Sequence, residues 1–311
     1  MGRRVWDRIL NSRMIRILGT IFAGLLGLAF GSFLNVCLSR WPAGESVVAP
    51  RSHCRSCEHV LAWWENIPLV SWVFLRGRCR GCGAWIGWRY PLVELAVASL
   101  WSLSIWGMFQ ALKTVELPSV FGYIEIAESL GLMIFYWIVV ALAVLDLEHL
   151  WLPNVLTLSG LAIGFSLKTF APALRYLAPA RPYKFTAGFE IELRAFPEVE
   201  GILAAAALIL LIRWLYKLIR HREGLGLGDA KLMAMLAAWL GLPGALLSFA
   251  IGAVLGAAVA VGLLALPAAR TGTQSWGASK LPLGTFLCIG GIASSLWGQP
   301  IIAAYLRWAG F

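Results

Sequence analysis

The chain has 311 residues, 59% of them hydrophobic and only 14% charged, with a formal net charge of +10 and a mean hydropathy of +0.76. That much apolar surface exceeds what a soluble core of this length can hide, so the composition reads as an all-α polytopic protein whose first partner is the lipid bilayer. The positive charge sits in arginine clusters between apolar runs, where it meets anionic headgroups. No soluble domain carries a basic groove with interleaved aromatics, which excludes nucleic acid as a partner.

The N-terminal tail carries Arg3, Arg4, Arg8, Arg13 and Arg16 ahead of an apolar run over 17–36. It has the look of a secretory signal, but the run is long enough to span about 30 Å of hydrocarbon. No small-x-small site closes it, since Asn35, Cys37 and Arg40 follow, so residues 1–36 are expected to be a tail and a retained first helix. A polar loop over 37–90 comes next, and 91–311 forms the remaining membrane domain. Within it, apolar stretches predict helices near 91–112, 129–145, 152–167, 202–218, 230–242, 245–266 and 281–305, about eight spans with the first.

Counting crossings puts the 37–90 loop, Leu147 and the 219–229 loop on one side. The first of these loops holds Arg40, Arg51, Arg55, Arg76, Arg78, Arg80 and Arg89, and Lys217, Arg220 and Arg222 flank the third. Positive residues mark the cytoplasmic face. The opposite loop at 113–128 sets Lys113 against Glu116, Glu125 and Glu128, the expected asymmetry, whereas the basic N-terminal tail falls outside by the same count and disagrees. A polar stretch near 168–200 is expected as an external loop. The alternation in Phe189-Glu190-Ile191-Glu192-Leu193 suggests a small hairpin there, with an unstructured loop as the other reading.

In the first loop Cys54-x-x-Cys57 and Cys79-x-x-Cys82 are separated by twenty-one residues. Paired knuckles of this kind place four thiolates tetrahedrally around zinc. A reducing cytoplasm disfavours disulfides, and the nearby arginines favour thiolate over thiol. With four cysteine ligands a zinc ion has no open position, so its expected role is structural, stapling a loop too small to fold alone. Cys37 and Cys288 fall at or inside apolar spans and are expected to act as small packing hydrophobes.

Asp146 ends an uninterrupted apolar run, and Asp229 sits in Gly224-Leu-Gly226-Leu-Gly228-Asp229-Ala-Lys231 ahead of another. Each has a plain structural reading: an interfacial turn with Pro153 starting the next helix for Asp146, and a helix N-cap for Asp229. The glycines do not form a phosphate loop, because no Gly-Lys-Ser/Thr follows them and no strand precedes them. Taken together, the two aspartates fall on the same face, each at the end of a span. Intramembrane carboxylates invite a functional explanation, and two that lie close share a proton. The ionised one deprotonates water and the protonated one polarises a carbonyl, with neither role assigned from sequence.

These residues resemble the prepilin peptidase family, type IV leader peptidases of the Gly-x-Gly-Asp class of membrane aspartyl proteases. The opening signature Gly31-Ser32-Phe33-Leu34-Asn35-Val36 with Arg40 and Pro42, and the loop residues Trp63, Asn66-Ile67-Pro68, Ser71 and Arg76-Gly77-Arg78-Cys79, are similar to the family pattern. So are Arg89-Tyr90-Pro91-Leu92-Val93-Glu94, Asp146 with Leu152-Pro153, and Gly226-Leu227-Gly228-Asp229-Ala230-Lys231-Leu232. Leu281-Pro282-Leu283-Gly284-Thr285-Phe286 resembles a C-terminal Pro-Phe-Gly-Pro-Phe element. Asn154 stands where an Asp often follows Leu-Pro, and Leu283 and Thr285 replace common Phe and Pro.

The resemblance implies an aspartic endopeptidase of the bacterial inner membrane with Asp146 and Asp229 catalytic. Its substrates would be type IV prepilins or pseudopilins, cut at the cytoplasmic face where a short basic leader meets a hydrophobic helix. It also implies methylation of the new N-terminal amine by S-adenosylmethionine, an activity associated with the zinc-bearing loop. Glu94, in the first turn of an apolar helix beside that loop, is the candidate for binding this cofactor, with an interfacial or structurally paired carboxylate as the alternative. Glu148 and His149 either tune Asp146 or are interfacial polar groups. Two readings of other classes compete. A thiol oxidoreductase needs a pair of cysteines near the oxidising side, but both pairs share one arginine-rich loop. A transporter or non-enzymatic assembly component would show carboxylates near the bilayer midplane in broken helices.

Overall fold

In a computed structural model the described residues are 2–112, 120–177, 190–221, 226–265 and 281–310. They form α1 (Gly2–Arg40), a short α2 (Val70–Phe74), α3 (Arg89–Ala111), α4 (Val120–His149), α5 (Asn154–Leu177), α6 (Glu190–Arg220), α7 (Leu227–Ala265) and α8 (Leu283–Trp308). Lys113, Glu116, Phe189, Arg222 and Gly224 lie outside these residues. Among them there are no strands, only isolated bridges in the four-cysteine loop. The chain divides into two compact units, Met1–Ala141 and Leu142–Phe311, with the boundary inside α4.

Among the described residues six helical segments are long and apolar enough to cross a membrane by length and composition: Arg13–Ala43, Arg89–Ala111, Gly122–His149, Glu198–Arg220, Leu227–Leu263 and Leu283–Trp308. Two of them leave large apolar side chains open, Leu203, Leu210, Leu211 and Trp214 on Glu198–Arg220 and Val254, Val259 and Val261 on the second half of Leu227–Leu263. Apolar helices left so open are solvated by lipid, and the protein is a multi-pass membrane protein. The stretches expected at 230–242 and 245–266 are joined in α7, which loses helical geometry at Gly241 (φ 70°, ψ 171°), two residues before Pro243. Pro243 has no N–H to give the preceding turn, and glycine tolerates the positive φ. The stretch at 152–167 lies in α5.

The described part of the suggested hairpin, residues 190–193, is helical and not extended. Glu190 to Leu193 belong to α6, so the expected loop near 168–200 is largely taken up by the ends of α5 and α6. Five alternating residues do not distinguish strand from helix, and extending an existing apolar helix avoids the cost of a new nucleus.

In the first unit α1 and α3 approach closely through glycines of α1. A Cβ on Gly27 would stand 2.7 Å from Ala98 Cα, and one on Gly31 would stand 2.7 Å from Glu94 Cα. Small residues at such positions bring backbones together where no hydrophobic effect separates helix from lipid. Two indoles fasten α4 to this pair, since Trp101 Nε1 donates to Met133 O at 2.9 Å and Trp137 Nε1 donates to Phe30 O at 3.2 Å. In the second unit α7 is the hub, packed against α5, α6 and α8. Trp239 Nε1 donates to Gly160 O at 2.8 Å, and its ring fills the space a Cβ on Gly164 would take. Ser294 Oγ of α8 donates to Gly244 O at 2.9 Å.

Gly27→Ala is expected to lower the thermal unfolding midpoint in detergent, an overpacking cost of about 1–3 kcal/mol. Gly107→Ala in the same unit, where an added Cβ meets nothing within 4 Å, should leave the midpoint unchanged or raise it slightly.

Candidate active site and metal centre

Asp146 lies in the last turn of α4. Its carbonyl accepts the Leu150 N–H at 2.9 Å, and Leu150 takes a left-handed φ of 50° that ends the helix. Trp151, Leu152 and Pro153 then lead into α5, whose first turn bonds to the Pro153 carbonyl. The carboxylate, in a residue only 5% exposed, is met by the start of α8. Thr285 donates its backbone N–H to Asp146 Oδ2 at 2.7 Å. Its hydroxyl stands 3.3 Å from the same oxygen and 2.9 Å from Ala143 O, so one proton serves two acceptors. The first N–H groups of a helix have no partner within it, and the helix dipole places partial positive charge there; a buried carboxylate satisfies both.

Asp229 occupies the first turn of α7 and is 8% exposed. The expected N-cap is corrected by one turn position: α7 begins at Leu227, and Asp229 Oδ2 reaches back to accept the Gly226 N–H at 3.0 Å. This is the third-residue half of a capping box, so the capping contact is real but uses only one carboxylate oxygen. The two aspartates lie within electrostatic reach of one another. Leu152 fills the gap between the helix starts, since a Cβ on Gly228 would come to 3.2 Å from Leu152 Cβ and one on Gly284 to 3.0 Å from Leu152 Cδ1. That same Cβ on Gly284 would stand 2.9 Å from the Asp146 carboxylate, so only glycine lets α8 present its N-terminus there. Lys231 Nζ donates to Asn154 Oδ1 at 2.7 Å, tying the start of α7 to that of α5.

Gly284 and Thr285 are the residues placed against Asp146 that sequence reasoning noted only as part of a motif. The signal present was a glycine and a small polar residue in the first turn after Pro282, at the head of an apolar helix. Glu148 and His149 face each other at 3.9 Å on a half-exposed surface. Cys37 and Cys288 are buried, as expected of small hydrophobes.

In the first unit the four cysteines of the loop come together. The Sγ atoms of Cys54, Cys57, Cys79 and Cys82 all lie within 4.8 Å of one another, a group that could hold a metal ion. Two equivalent knuckles build it. Cys54 N–H donates to His59 O at 2.9 Å and Glu58 N–H to Cys54 O at 2.8 Å; Cys79 N–H donates to Ala84 O and Gly83 N–H to Cys79 O, both at 2.8 Å. The fifth residue of each knuckle turns left-handed, Glu58 at φ 58° and Gly83 at φ 72°. The Ser56 backbone N–H holds the Cys54 thiol down to about 6, aided by the Cys57 N–H and opposed by desolvation. Hydrogen bonds to the charged form favour thiolate, the species that ligates metal.

Glu94, in the first turns of α3, accepts the Leu69 N–H on Oε2 at 2.7 Å. This bond holds Leu69 at φ 57°, an unfavourable backbone for leucine, and ties the loop to the helix. Glu94 therefore has a structural partner, and it also lines a cavity of about 630 Å³ between the loop and the ends of α1 and α3.

A helical membrane protein with a pair of buried carboxylates at helix starts and a four-thiol cluster in a polar loop defines a narrow class. Residues 25–108 match the bacterial Peptidase A24 N-terminal domain and residues 133–261 match the type IV leader peptidase family. The chain is 33% identical over 308 residues to a prepilin leader peptidase/N-methyltransferase of Stutzerimonas stutzeri, covering 92% of this chain and 93% of that protein. It is 34% identical over 310 residues to a protein of the same name in Pseudomonas aeruginosa, covering 92% and 93%. A third, from Myxococcus xanthus, is 36% identical over 270 residues, 85% of this chain and 68% of that one. No solved structure matches. The chain belongs to the type IV leader peptidase family.

Replacing Cys79 with Ser is expected to lower bound metal to below about a tenth of that in the unsubstituted chain, measured by mass spectrometry of purified protein. The loop should then become sensitive to protease, because a segment of this size without its staple does not hold a fold.

Proposed function

We propose that the chain is an aspartic endopeptidase that removes the short basic leader of type IV prepilins or pseudopilins, and that it methylates the new N-terminal amine. The observation that carries the first half is the pair Asp146 and Asp229, buried, held at the starts of α8 and α7, and each within reach of the other's charge. Two such carboxylates do not readily both ionise, so one proton is shared. The ionised member takes a proton from water as the water oxygen bonds to the scissile carbonyl carbon, while the protonated member donates to the carbonyl oxygen. As the C–N bond breaks, a proton passes to the leaving nitrogen, giving a leader carboxylate and a free N-terminal amine. The pair titrates as a unit.

Placement at the cytoplasmic face of a bacterial inner membrane is supported by the arginines of the 37–90 loop and by the chemistry of the substrate. A leader rich in Lys or Arg stays inside while the apolar segment behind it is in lipid. Zinc in the four-cysteine cluster is supported by the donor set and its spacing. A tetrahedral site with Zn–S bonds of about 2.3 Å has edges near 3.8 Å, and Cys54–Cys82 and Cys57–Cys79 are each 3.9 Å apart. Its role is to staple the loop.

Methyl transfer is supported by the cavity beside that loop. At about 630 Å³ it falls in the range that takes a nucleoside-sized ligand, and Glu94, Trp72 and Trp85 are among its lining residues. S-adenosylmethionine supplies an activated methyl group when bound. The protein's part is to seat the donor and hold the amine beside it, with Glu94 the candidate contact.

The test is cleavage of a synthetic prepilin-like substrate by detergent-purified protein with its metal content verified. Asp146→Asn and Asp229→Asn should each lose about 10²–10⁴-fold in rate with folding and metal intact. Full-rate cleavage by both variants would return the aspartates to capping roles, and no cleavage by the unsubstituted chain would favour a transporter or assembly component. Thr285→Val keeps the N–H donor and loses the hydroxyl. It should lower kcat about tenfold with KM little changed, and Thr285→Ser should restore it.

A further inference from the structure

The four-cysteine loop is polar in composition, yet α2 leaves its apolar face open. Val70, Val73 and Phe74 share that face by their i, i+3, i+4 spacing, and all three are exposed, Phe74 by 82%. Trp72 stands on the opposite face of α2, its ring centroid 5.8 Å from that of Trp85 and 4.6 Å from that of Trp88. Those two indoles are themselves exposed. A contiguous apolar surface of this kind marks a contact.

Its level along α3 says what covers it. At 1.5 Å per residue the 23 residues of α3 extend about 35 Å, against about 30 Å of hydrocarbon, so Arg89 stands at the hydrocarbon boundary. Trp88, Leu92 and Leu95 follow one another at i, i+4 and i+7 and are all exposed, so the open stripe of this membrane helix runs into the tryptophan cluster. α2 does not stand clear of that boundary. Leu69, the residue just ahead of it, donates its N–H to Glu94 Oε2 at 2.7 Å, and Glu94 lies in the second turn of α3. This bond holds the start of α2 beside the first turns of α3, at the depth of lipid headgroups. Indoles, with a large apolar body and one N–H donor, suit that layer.

The charge is complementary to the same surroundings. Between Glu65 and Glu94 the chain has Arg76, Arg78, Arg80 and Arg89 and no acidic residue, and Arg76 and Arg78, just after α2, are exposed. Headgroup phosphates attract such a segment, whereas a basic leader peptide is repelled by it.

We propose that this loop lies on the bilayer surface, with Val70, Val73, Phe74, Trp85 and Trp88 among the lipid headgroups and Arg76 and Arg78 on their phosphates. The placement is independent of the activities proposed above.

The experiment uses the full-length protein, its metal content verified, in vesicles of phosphatidylethanolamine and phosphatidylglycerol. The photocrosslinker benzoylphenylalanine replaces Phe74 in one sample and Leu95, on the open stripe of α3, in another. After illumination, mass spectrometry should find lipid adducts at position 74 with at least about a third of the yield at position 95. A lower yield overturns the proposal. So does a transfer of the adducts to an added prepilin-like peptide, which would make the face a protein-docking site. Position 73 serves as a second label site if the protein labelled at 74 loses metal. Phosphatidylglycerol should exceed its share of the vesicle about twofold among the adducts at 74, and the excess should vanish when Arg76→Gln and Arg78→Gln are combined. An excess unchanged by that pair overturns the role given to the arginines.

Discussion

Everything in the second unit depends on keeping two carboxylates in an apolar helical bundle. A carboxylate removed from water loses several kcal/mol of solvation unless the protein replaces the lost donors. This chain supplies them from the beginnings of helices, where the first-turn N–H groups lack partners of their own. Thr285 of α8 serves Asp146, and Gly226 ahead of α7 serves Asp229. Each carboxylate thereby finishes a helix that would otherwise start with bare donors. The helices and the acidic groups need one another, so each aspartate has a structural part at a helix start.

That arrangement demands short distances. The carboxylate of Asp146 stands where a side chain on Gly284 would be, and Leu152 stands against both Gly228 and Gly284. The glycines of this site are required less for unusual backbone angles than for the space they leave. The same device operates in the first unit, where Gly27 and Gly31 bring α1 onto α3. In lipid, where burying one more methyl gains little, close backbone contact and indole-to-carbonyl bonds such as Trp239 to Gly160 and Trp101 to Met133 hold helices together.

The polar loop of the first unit solves a different problem. It has almost no regular structure, only α2 and a few 3₁₀ turns, and it cannot bury enough apolar surface to order itself. Two knuckles related by the same bonding pattern, a cluster of Trp72, Trp85 and Trp88, and the Glu94 bond to Leu69 give it shape. Between loop and helices this leaves a cavity with charged and polar walls, separate in character from the carboxylate pair of the other unit.

Much of this was legible in the sequence because it is written in local patterns. Hydropathy located the helical stretches, knuckle spacing located the four thiols, and the apolar runs that end or begin at Asp146 and Asp229 singled those residues out. The break at Gly241 was visible only as a gap between two stretches, since whether a helix bends or stops depends on what packs beside it. The alternation at 189–193 misled because five residues carry too little periodicity to outweigh an adjoining helix. What the sequence by itself determined was which residues are chemically able to act: acids at span ends, thiols in pairs, glycines before a helix. What only the tertiary structure decided was which donors face which acceptors. That Thr285 meets Asp146 across more than a hundred residues follows from a long-range contact, which no local pattern encodes, whereas Asp229 reaching back to Gly226 is a local bond set by where α7 begins.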